Sequence, residues 1–318
     1  MQHVDVLIVG GGPAGSACAW RLEQAGVQGL ILEKQTFPRA KPCAGWITPQ
    51  VLRDLQFSPA DYPHSFTTFN KLHIRLRGVP LLLPGKQHAV RRIEFDHWLL
   101  ERSGAQRETH EVREIAEAKG LYVVDSMYSA PYLVGAGGTH CPVYHTFFKA
   151  EYPRQPGARI VALEEEFSYD WGDPRCQLWF FENGLPGYAW YVPKSGGVVN
   201  LGVGGVEERL RDKGMSIREH WDALVQKVAQ KGLVANRSFH PQGHVYYTRR
   251  GQTEVRRGNA FLVGDALGLA TLDMGEGIGP AVRSGILAAE AILSGGEYAV
   301  EEIGELSFLP GVLGKYLD

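Results

Sequence analysis

The stretch HVDVLIVGGGPAGSACAWRLEQAGVQGLILEK, residues 3–34, restricts the fold more than any other part of the chain. Val4 to Val9 is an aliphatic and β-branched run that suits a buried parallel strand. It enters Gly10-x-Gly12-x-x-Gly15, and a helical pattern follows through Ala17, Leu22 and Ala25 until Gly26 stops it. GLILE then predicts a second buried strand ending at Glu33. The three glycines serve different ends. Gly10 permits the tight turn, Gly12 lets backbone approach a pyrophosphate, and Gly15 lets helix and strand pack closely. The helix start, with Pro13 and Ala14, offers unpaired N–H groups and a positive dipole end to phosphates. Glu33, with Lys34 beside it, stands where an acid bonds an adenosine ribose hydroxyl and repels a 2'-phosphate. Strand, glycines, helix, strand and acid in that order predict a bound FAD or NAD.

At 318 residues the chain exceeds one typical core, so two intimately packed domains are expected. Its 44% apolar and 21% charged residues mark an ordinary folded protein, and a net charge of -2 argues against nucleic acid or an acidic partner. The N-terminal apolar stretch is too short for a signal peptide or membrane span, and no later run reaches that length. Cys18, Cys43, Cys141 and Cys176 are scattered without a CxxC pair, which excludes a disulfide framework or zinc knuckle. His140, Cys141 and His145 in THCPVYH, and His240 and His244 in HPQGH, lack a second pair at ligand spacing, so no metal is expected. A cytoplasmic, reducing location is the expectation.

The far end of the chain favours FAD over NAD. In GNAFLVGDALGLATLDMGEGIGPAVRSGILAAEAILSGG a short strand, Ala260 to Val263, leads to Gly264-Asp265, a glycine-rich loop and a helix from about Gly279 to Leu293. Pro280 suits the first turn of that helix. Ala281, Ser284, Gly285, Ala288 and Ala289 give it small faces for close packing. A reduced flavin carries negative charge near N1 and O2, which a helix N-terminus stabilises.

These segments, with RRIEFDHWL and GYAWYVPK, make the chain resemble the geranylgeranyl reductase family from about residue 4 to residue 294. Members are FAD-dependent oxidoreductases with the fold of para-hydroxybenzoate hydroxylase. The implied fold class is α/β (α+β overall): a Rossmann-type FAD-binding domain with an inserted, mainly antiparallel β-sheet substrate domain. The resemblance implies that Asp265, after Gly264, holds a ribityl hydroxyl, and that Gly275-Glu276-Gly277-Ile278 lies by the isoalloxazine pyrimidine edge. Arg92, in the pattern Arg92-x-x-Phe95-Asp96, would reach the cofactor from its own helix. Lys41-Pro42-Cys43-Ala44-Gly45 would pass beside the flavin ring, with alanine where the family has a first glycine. Tyr188-x-Trp190-x-x-Pro193 is similar to the family's Tyr-x-Trp-x-Phe-Pro element of the substrate cavity, with Val192 in place of phenylalanine. It implies a small apolar substrate, and Cys43, Tyr188 and Trp190 as the catalytic residues. The aromatic run from Phe180 to Tyr191 also suits a sheet face packed on a helix. Gly137, in LVGAGGTHCPV, stands where related hydroxylases carry an acid, and the proline common before the GEG turn is missing.

The flavin domain must be discontinuous, with boundaries expected at 1–66, 86–144 and 250–298. Residues 67–85 and 145–249 make the substrate domain, and 299–318 a C-terminal segment. NKLHIRLRGVPLLL leaves for the second sheet, RRIEFDHWLLERSG returns as a helix, and short strands follow from about 106 to 135. SIREHWDALVQKVAQKG predicts an amphipathic helix with a Ser216/Glu219 capping box and a stripe of Trp221, Leu224, Val225 and Val228 that covers the second sheet. LSFLPGVLGKYL, residues 306–317, suits a surface helix or simple packing.

Three functions are weighed. The first is a reductase or dehydrogenase of an isoprenoid-like or quinone-like molecule, with hydride passing at flavin N5. The second is an NAD(P)H- and oxygen-dependent monooxygenase, and the third a flavoprotein electron carrier or sensor. No second GxGxxG follows a strand, so the electron donor is unreadable and NAD(P)H is a candidate transient donor. Peripheral membrane contact follows only from the substrate class. Cys43 is either a small side chain lining the flavin pocket or a functional thiol influenced by Arg39 and Lys41.

Overall fold

The computed structural model describes residues 1–249 and 254–307. Strands Val6–Val9 and Gly29–Glu33 lie parallel at the centre of a six-stranded sheet. Their side chains are buried on both faces, the reason they read as unbroken aliphatic runs. The sheet runs Arg256–Arg257, Ala260–Leu262, Tyr132–Gly135, Val6–Val9, Gly29–Glu33, Gln106–Thr109, and only its first pair is antiparallel. Strand Ala260–Leu262 comes from the far end of the sequence.

Helices Pro13–Glu23 and Ile278–Ser294 pack against each other. At Gly285 a Cβ would stand 2.2 Å from the Ala14 carbonyl oxygen, so only glycine allows this approach. Ser284 Oγ accepts a hydrogen bond from the Gly264 N–H at 2.9 Å, which ties the long helix to the turn before Asp265. The small residues of this helix therefore bring the two cofactor motifs together. Strands Gln2–His3, Tyr128–Ala130, Leu121–Val124 and Ile115–Ala118 form a small separate sheet.

The second large sheet has eight strands in the order Gln242–Tyr247, Arg159–Ser168, Val198–Val206, Gly187–Lys194, Gln177–Phe180, Phe66–Leu76, Val79–Val90, Trp46–Ile47. All neighbours are antiparallel except Gln177–Phe180 against Phe66–Leu76. The hairpin reaches beyond the expected 67–85, from Phe66 to Val90, because Gln87 to Val90 are buried where they pair with Phe66 to Phe69. Trp46–Ile47 adds an edge from within the stretch assigned to the flavin domain.

Helix Ile217–Gln230 covers one face of this sheet. Its capping box is present: Glu219 N–H donates to Ser216 Oγ at 3.3 Å, and Ser216 N–H to Glu219 Oε2 at 2.8 Å. Trp221, Leu224 and Val228 are buried, with Val225 partly so, against Leu201 and Val203. Burial of Leu224 or Val228 contributes about 1.5–3 kcal/mol each. The opposite face of the sheet turns toward the nucleotide-binding part.

Residues 299–307 hold a short turn at Val300–Glu302, tied by Arg249 donating to the Val300 carbonyl at 3.1 Å. Beyond Ser307, the 306–317 stretch lies outside the described residues. No helix among the described residues is long and apolar enough to cross a membrane.

Candidate functional site

A cavity of about 530 Å³ lies between the C-terminal ends of the parallel strands and the open face of the eight-stranded sheet. Ligands of open α/β sheets bind at such strand ends. Its nucleotide end is lined by Gly10, Gly12, Pro13, Ala14, Glu33 and Lys34. Gly10 has φ +111°, and a Cβ there would stand 2.4 Å from the Ala136 carbonyl oxygen, so the turn admits glycine alone. Gly12 caps helix Pro13–Glu23 without any side-chain acceptor, leaving first-turn N–H groups for a ligand. Glu33 accepts from the N–H of Gly11 at 2.8 Å and of Gln35 at 3.0 Å. Its remaining lone pairs suit a ribose hydroxyl.

Arg39 supplies a contact that sequence reasoning assigned elsewhere. Its guanidinium lies 3.6 Å from where a Cβ on Gly12 would be, and its Nε is buried with no hydrogen-bond partner among the described residues. A buried guanidinium that pairs with Asp96 on one side but keeps an orphaned Nε over a phosphate-type loop is what a pyrophosphate would satisfy. The glycine cradle, the uncapped helix and this orphaned donor all fit a dinucleotide.

Toward the middle, Asp265, Gly275, Gly277 and Ile278 line the cavity. Burial opposes ionisation of Asp265, but Lys41, 3.3 Å away, together with His244 and Arg92, holds the carboxyl below its usual range. Gly277 caps helix Ile278–Ser294, whose N-terminus points at the cavity. Glu276 is buried there; burial pushes its carboxyl up to about 7, against the N–H of Gly279 that it accepts at 2.5 Å.

Arg92 lines the cavity and grips Asp96 through two bonds of 2.7 Å each. Burial works against its charge, but Asp96 outweighs it and the Cys43 sulfur adds a hydrogen bond, so the guanidinium stays protonated. The cation at the Cys43 sulfur is therefore Arg92. Arg39 and Lys41, its neighbours in sequence, turn instead to Asp96 at 3.4 Å and Asp265 at 3.3 Å. Cys43 is half-buried, and the Gly45 N–H donates to its sulfur at 3.4 Å.

The remaining end is a wall on the sheet: Ala162, Leu178, Tyr188, Trp190, Val192 and Tyr246. Trp190 lies flat over Gly202, where a Cβ would come within 2.1 Å of the indole, and its Nε1 donates to Asn200 Oδ1 at 2.7 Å. Tyr188 stacks on Phe180 with ring centroids 4.8 Å apart and donates to the Met274 carbonyl at 2.6 Å. Burial pushes its phenol well up, so the proton stays on the oxygen. Tyr188 and Trp190 thus offer ring faces, their polar atoms being committed to the protein. Of the residues assigned from sequence, Ala44 lines the cavity as well, whereas Gly15, Gly45 and Gly264 stand behind it. These three permit close backbone contact: a Cβ on Gly15 would lie 2.0 Å from the Gly10 oxygen, and one on Gly45 1.9 Å from the Val90 oxygen.

Sequence reading missed Glu164 and His244. Glu164 is 5% exposed and faces the cavity from strand Arg159–Ser168. Burial pushes its carboxyl up to about 7, while Lys194, the Asn200 amide and the Cys43 N–H pull the other way. His244 is held neutral, its imidazole lowered to about 4 by burial and Lys41. The signal for Glu164 was present: a half-buried strand reading RIVALEEEFS must turn one of its glutamates inward with Ile160 and Ala162.

The fold and this site define an FAD-dependent oxidoreductase of the para-hydroxybenzoate hydroxylase-like type. A family model described as an FAD binding domain matches residues 3–57. An uncharacterized protein of Methanosarcina barkeri is 30% identical over 308 residues, covering 92% of this chain and 76% of its own. Menaquinone reductase of Mycobacterium tuberculosis is 28% identical over 337 residues, covering 92% and 77%. Geranylgeranyl diphosphate reductase of Rhodobacter capsulatus is 25% identical over 303 residues, covering 91% and 75%. The crystal structure of a geranylgeranyl bacteriochlorophyll reductase-like protein of Thermoplasma acidophilum superposes with TM-score 0.79 at 19% identity, over 95% of this chain and 82% of that one. The chain belongs to the geranylgeranyl reductase family of FAD-dependent oxidoreductases.

Proposed function

We propose that this protein reduces an unsaturated bond of an apolar, isoprenoid-like or quinone-like molecule, with NAD(P)H as transient electron donor. One observation carries the reading: the cavity joins a dinucleotide cradle to an apolar aromatic wall in which a protonatable carboxyl, Glu164, is set. The names of the mycobacterial and Rhodobacter relatives support the same substrate class.

Bound FAD supplies hydride at its N5. The glycine loop and Arg39 would hold its pyrophosphate, Glu33 a ribose hydroxyl, and Asp265 a ribityl hydroxyl. Helix Ile278–Ser294, its N-terminus at the cavity, would stabilise negative charge on a reduced cofactor there. Leu178, Tyr188, Trp190 and Val192 position the apolar substrate and exclude water. Reduction needs a proton as well as a hydride, and below about pH 7 the Glu164 carboxyl carries one. The Asn200 amide and the Cys43 N–H fix its orientation. Cys43, between Glu164 and Arg92, completes that side of the cavity.

Anaerobic reoxidation tests the reading. The purified holoprotein is reduced chemically under nitrogen, mixed with a polyprenyl lipid or a polyprenyl quinone, and followed by the flavin absorbance. Reoxidation by one of these molecules, without oxygen, is the expected outcome. Oxygen uptake stimulated by substrate in the presence of NADH or NADPH would instead make the protein a monooxygenase.

A further inference from the structure

Strands Phe66–Leu76 and Val79–Val90 form a hairpin whose turn at Arg77 and Gly78, and the residues just after it, are exposed. Val79 is 65% exposed, Leu82 50% and Leu81 38%, three of five large apolar side chains exposed among the described residues. Pro80 and Pro84 beside them are exposed too. From residue 62 to residue 93 the sequence contains no aspartate or glutamate. Lys71, Arg75, Arg77 and Lys86 all lie exposed on this hairpin, and none pairs with a carboxylate among the described residues. An apolar tip on a stem whose own residues are cationic and free of acid is matched by an anionic lipid surface, which attracts such cations.

The register adds a second argument. Leu81 pairs with Ile74, Ile74 with Leu178, Leu178 with Trp190, and Trp190 with Gly202, which pairs with Glu164. Paired residues of neighbouring strands share a face, so this row runs unbroken from the hairpin into the cavity. Two residues along each strand, on the same face, Val79, Leu76, Phe180 and Tyr188 make a parallel row. The apolar cluster that holds Leu178, Trp190 and Val192 also holds Leu72 and Ile74, with Leu76 and Leu83 packed on it.

We propose that the hairpin around Gly78 docks this protein on an anionic lipid surface, its apolar row continuing the substrate wall toward the bilayer. The row's meaning as a substrate path rests on the reductase reading; the docking surface itself rests on exposure and charge. A second copy of the chain would cover apolar residues as well, but four unpaired cations facing their own copies would repel.

Sedimentation of the holoprotein with vesicles decides the matter. Wild type is expected to bind phosphatidylcholine vesicles containing a quarter phosphatidylglycerol, and to bind pure phosphatidylcholine much more weakly. Val79→Asp with Leu82→Asp should lower the bound fraction at least about tenfold, while Arg75→Glu with Arg77→Glu should erase the preference for anionic lipid. Both variants should keep FAD and the wild-type melting temperature. If a variant fails to fold, Leu82→Trp provides a second probe, its emission quenched by brominated phosphatidylcholine in anionic vesicles. Equal binding by wild type and the aspartate variant, or no quenching at Leu82→Trp, overturns docking. A wild-type dimer in sedimentation velocity that the aspartate variant splits also overturns it, in favour of self-association. Reduction of a short, water-soluble prenyl substrate is scored separately: its failure with vesicle binding intact removes the reductase reading and leaves the docking surface standing.

Discussion

The two ends of the cavity are made of different materials. At the nucleotide end, backbone does the work: Gly10 makes the tight turn, Gly12 and the uncapped helix start present N–H groups, and Arg39 is the main added charge. At the substrate end, side chains from four strands converge: Glu164, Leu178, Trp190 and Tyr246. The first end is assembled within about thirty residues of sequence and tolerates no added atoms at Gly10 or Gly15. The second is assembled across the sheet and can change its chemistry by changing one side chain. The binding half should therefore fail all at once, and the reacting half by degrees.

Replacing Gly15 by valine should break the first half outright. A Cβ already falls 2.0 Å from the Gly10 oxygen, so the turn and helix cannot both persist. The purified protein is expected to lack flavin absorbance; normal FAD content would mean the loop has another way to close.

Glu164→Gln tests the second half. Turnover should fall about 100-fold, the usual scale for a lost general acid, while FAD stays bound. In wild type, turnover should decline as pH rises through about 7, where the Glu164 proton is lost, and the variant's profile should be flat there. Stability supplies an independent readout on the apoprotein. The folded carboxyl holds its proton more tightly than the unfolded one, so its stabilising contribution is complete below about pH 4.5 and lost by about pH 7. The melting temperature of Glu164→Gln should rise relative to wild type across that window. An unchanged difference would show that the carboxyl titrates in its ordinary range.

Arg39→Met separates charge from backbone at the nucleotide end. Losing one charge-assisted hydrogen bond to a pyrophosphate should weaken FAD about 30-fold, measured by titrating apoprotein with FAD. Tight binding in the variant would leave the loop sufficient on its own. Cys43→Ser carries the smallest effect: reoxidation slower by at least about tenfold with FAD retained. Unchanged reoxidation would reduce Cys43 to a packing residue beside Arg92.

Legibility follows the same division. The glycine loop and Glu33 could be read because local spacing alone requires them, whereas the roles of the GDALG and GEG turns came from resemblance to the family. The capping box at Ser216 and its apolar stripe were legible for the same reason. Arg39 and Lys41 were placed beside Cys43 because they are near it in sequence, yet both turn to carboxylates brought by remote segments. Tyr188 and Trp190 were found by resemblance, but the commitment of their polar atoms to Met274 and Asn200 had no sequence signal. Glu164 hid in a run of three glutamates, where only strand register decides which one turns inward.

By itself, the sequence determined the class of cofactor, the parallel sheet that carries it and the small-residue helix that joins the two motifs. Those features depend on backbone conformation and on glycine, both encoded within a few residues. Only tertiary structure decided which cation meets Cys43, which glutamate of strand Arg159–Ser168 is buried, and that an apolar row leads from Trp190 to the hairpin tip. Those depend on burial and on pairing between strands far apart in the chain. Desolvation and register exist only once the sheet has formed.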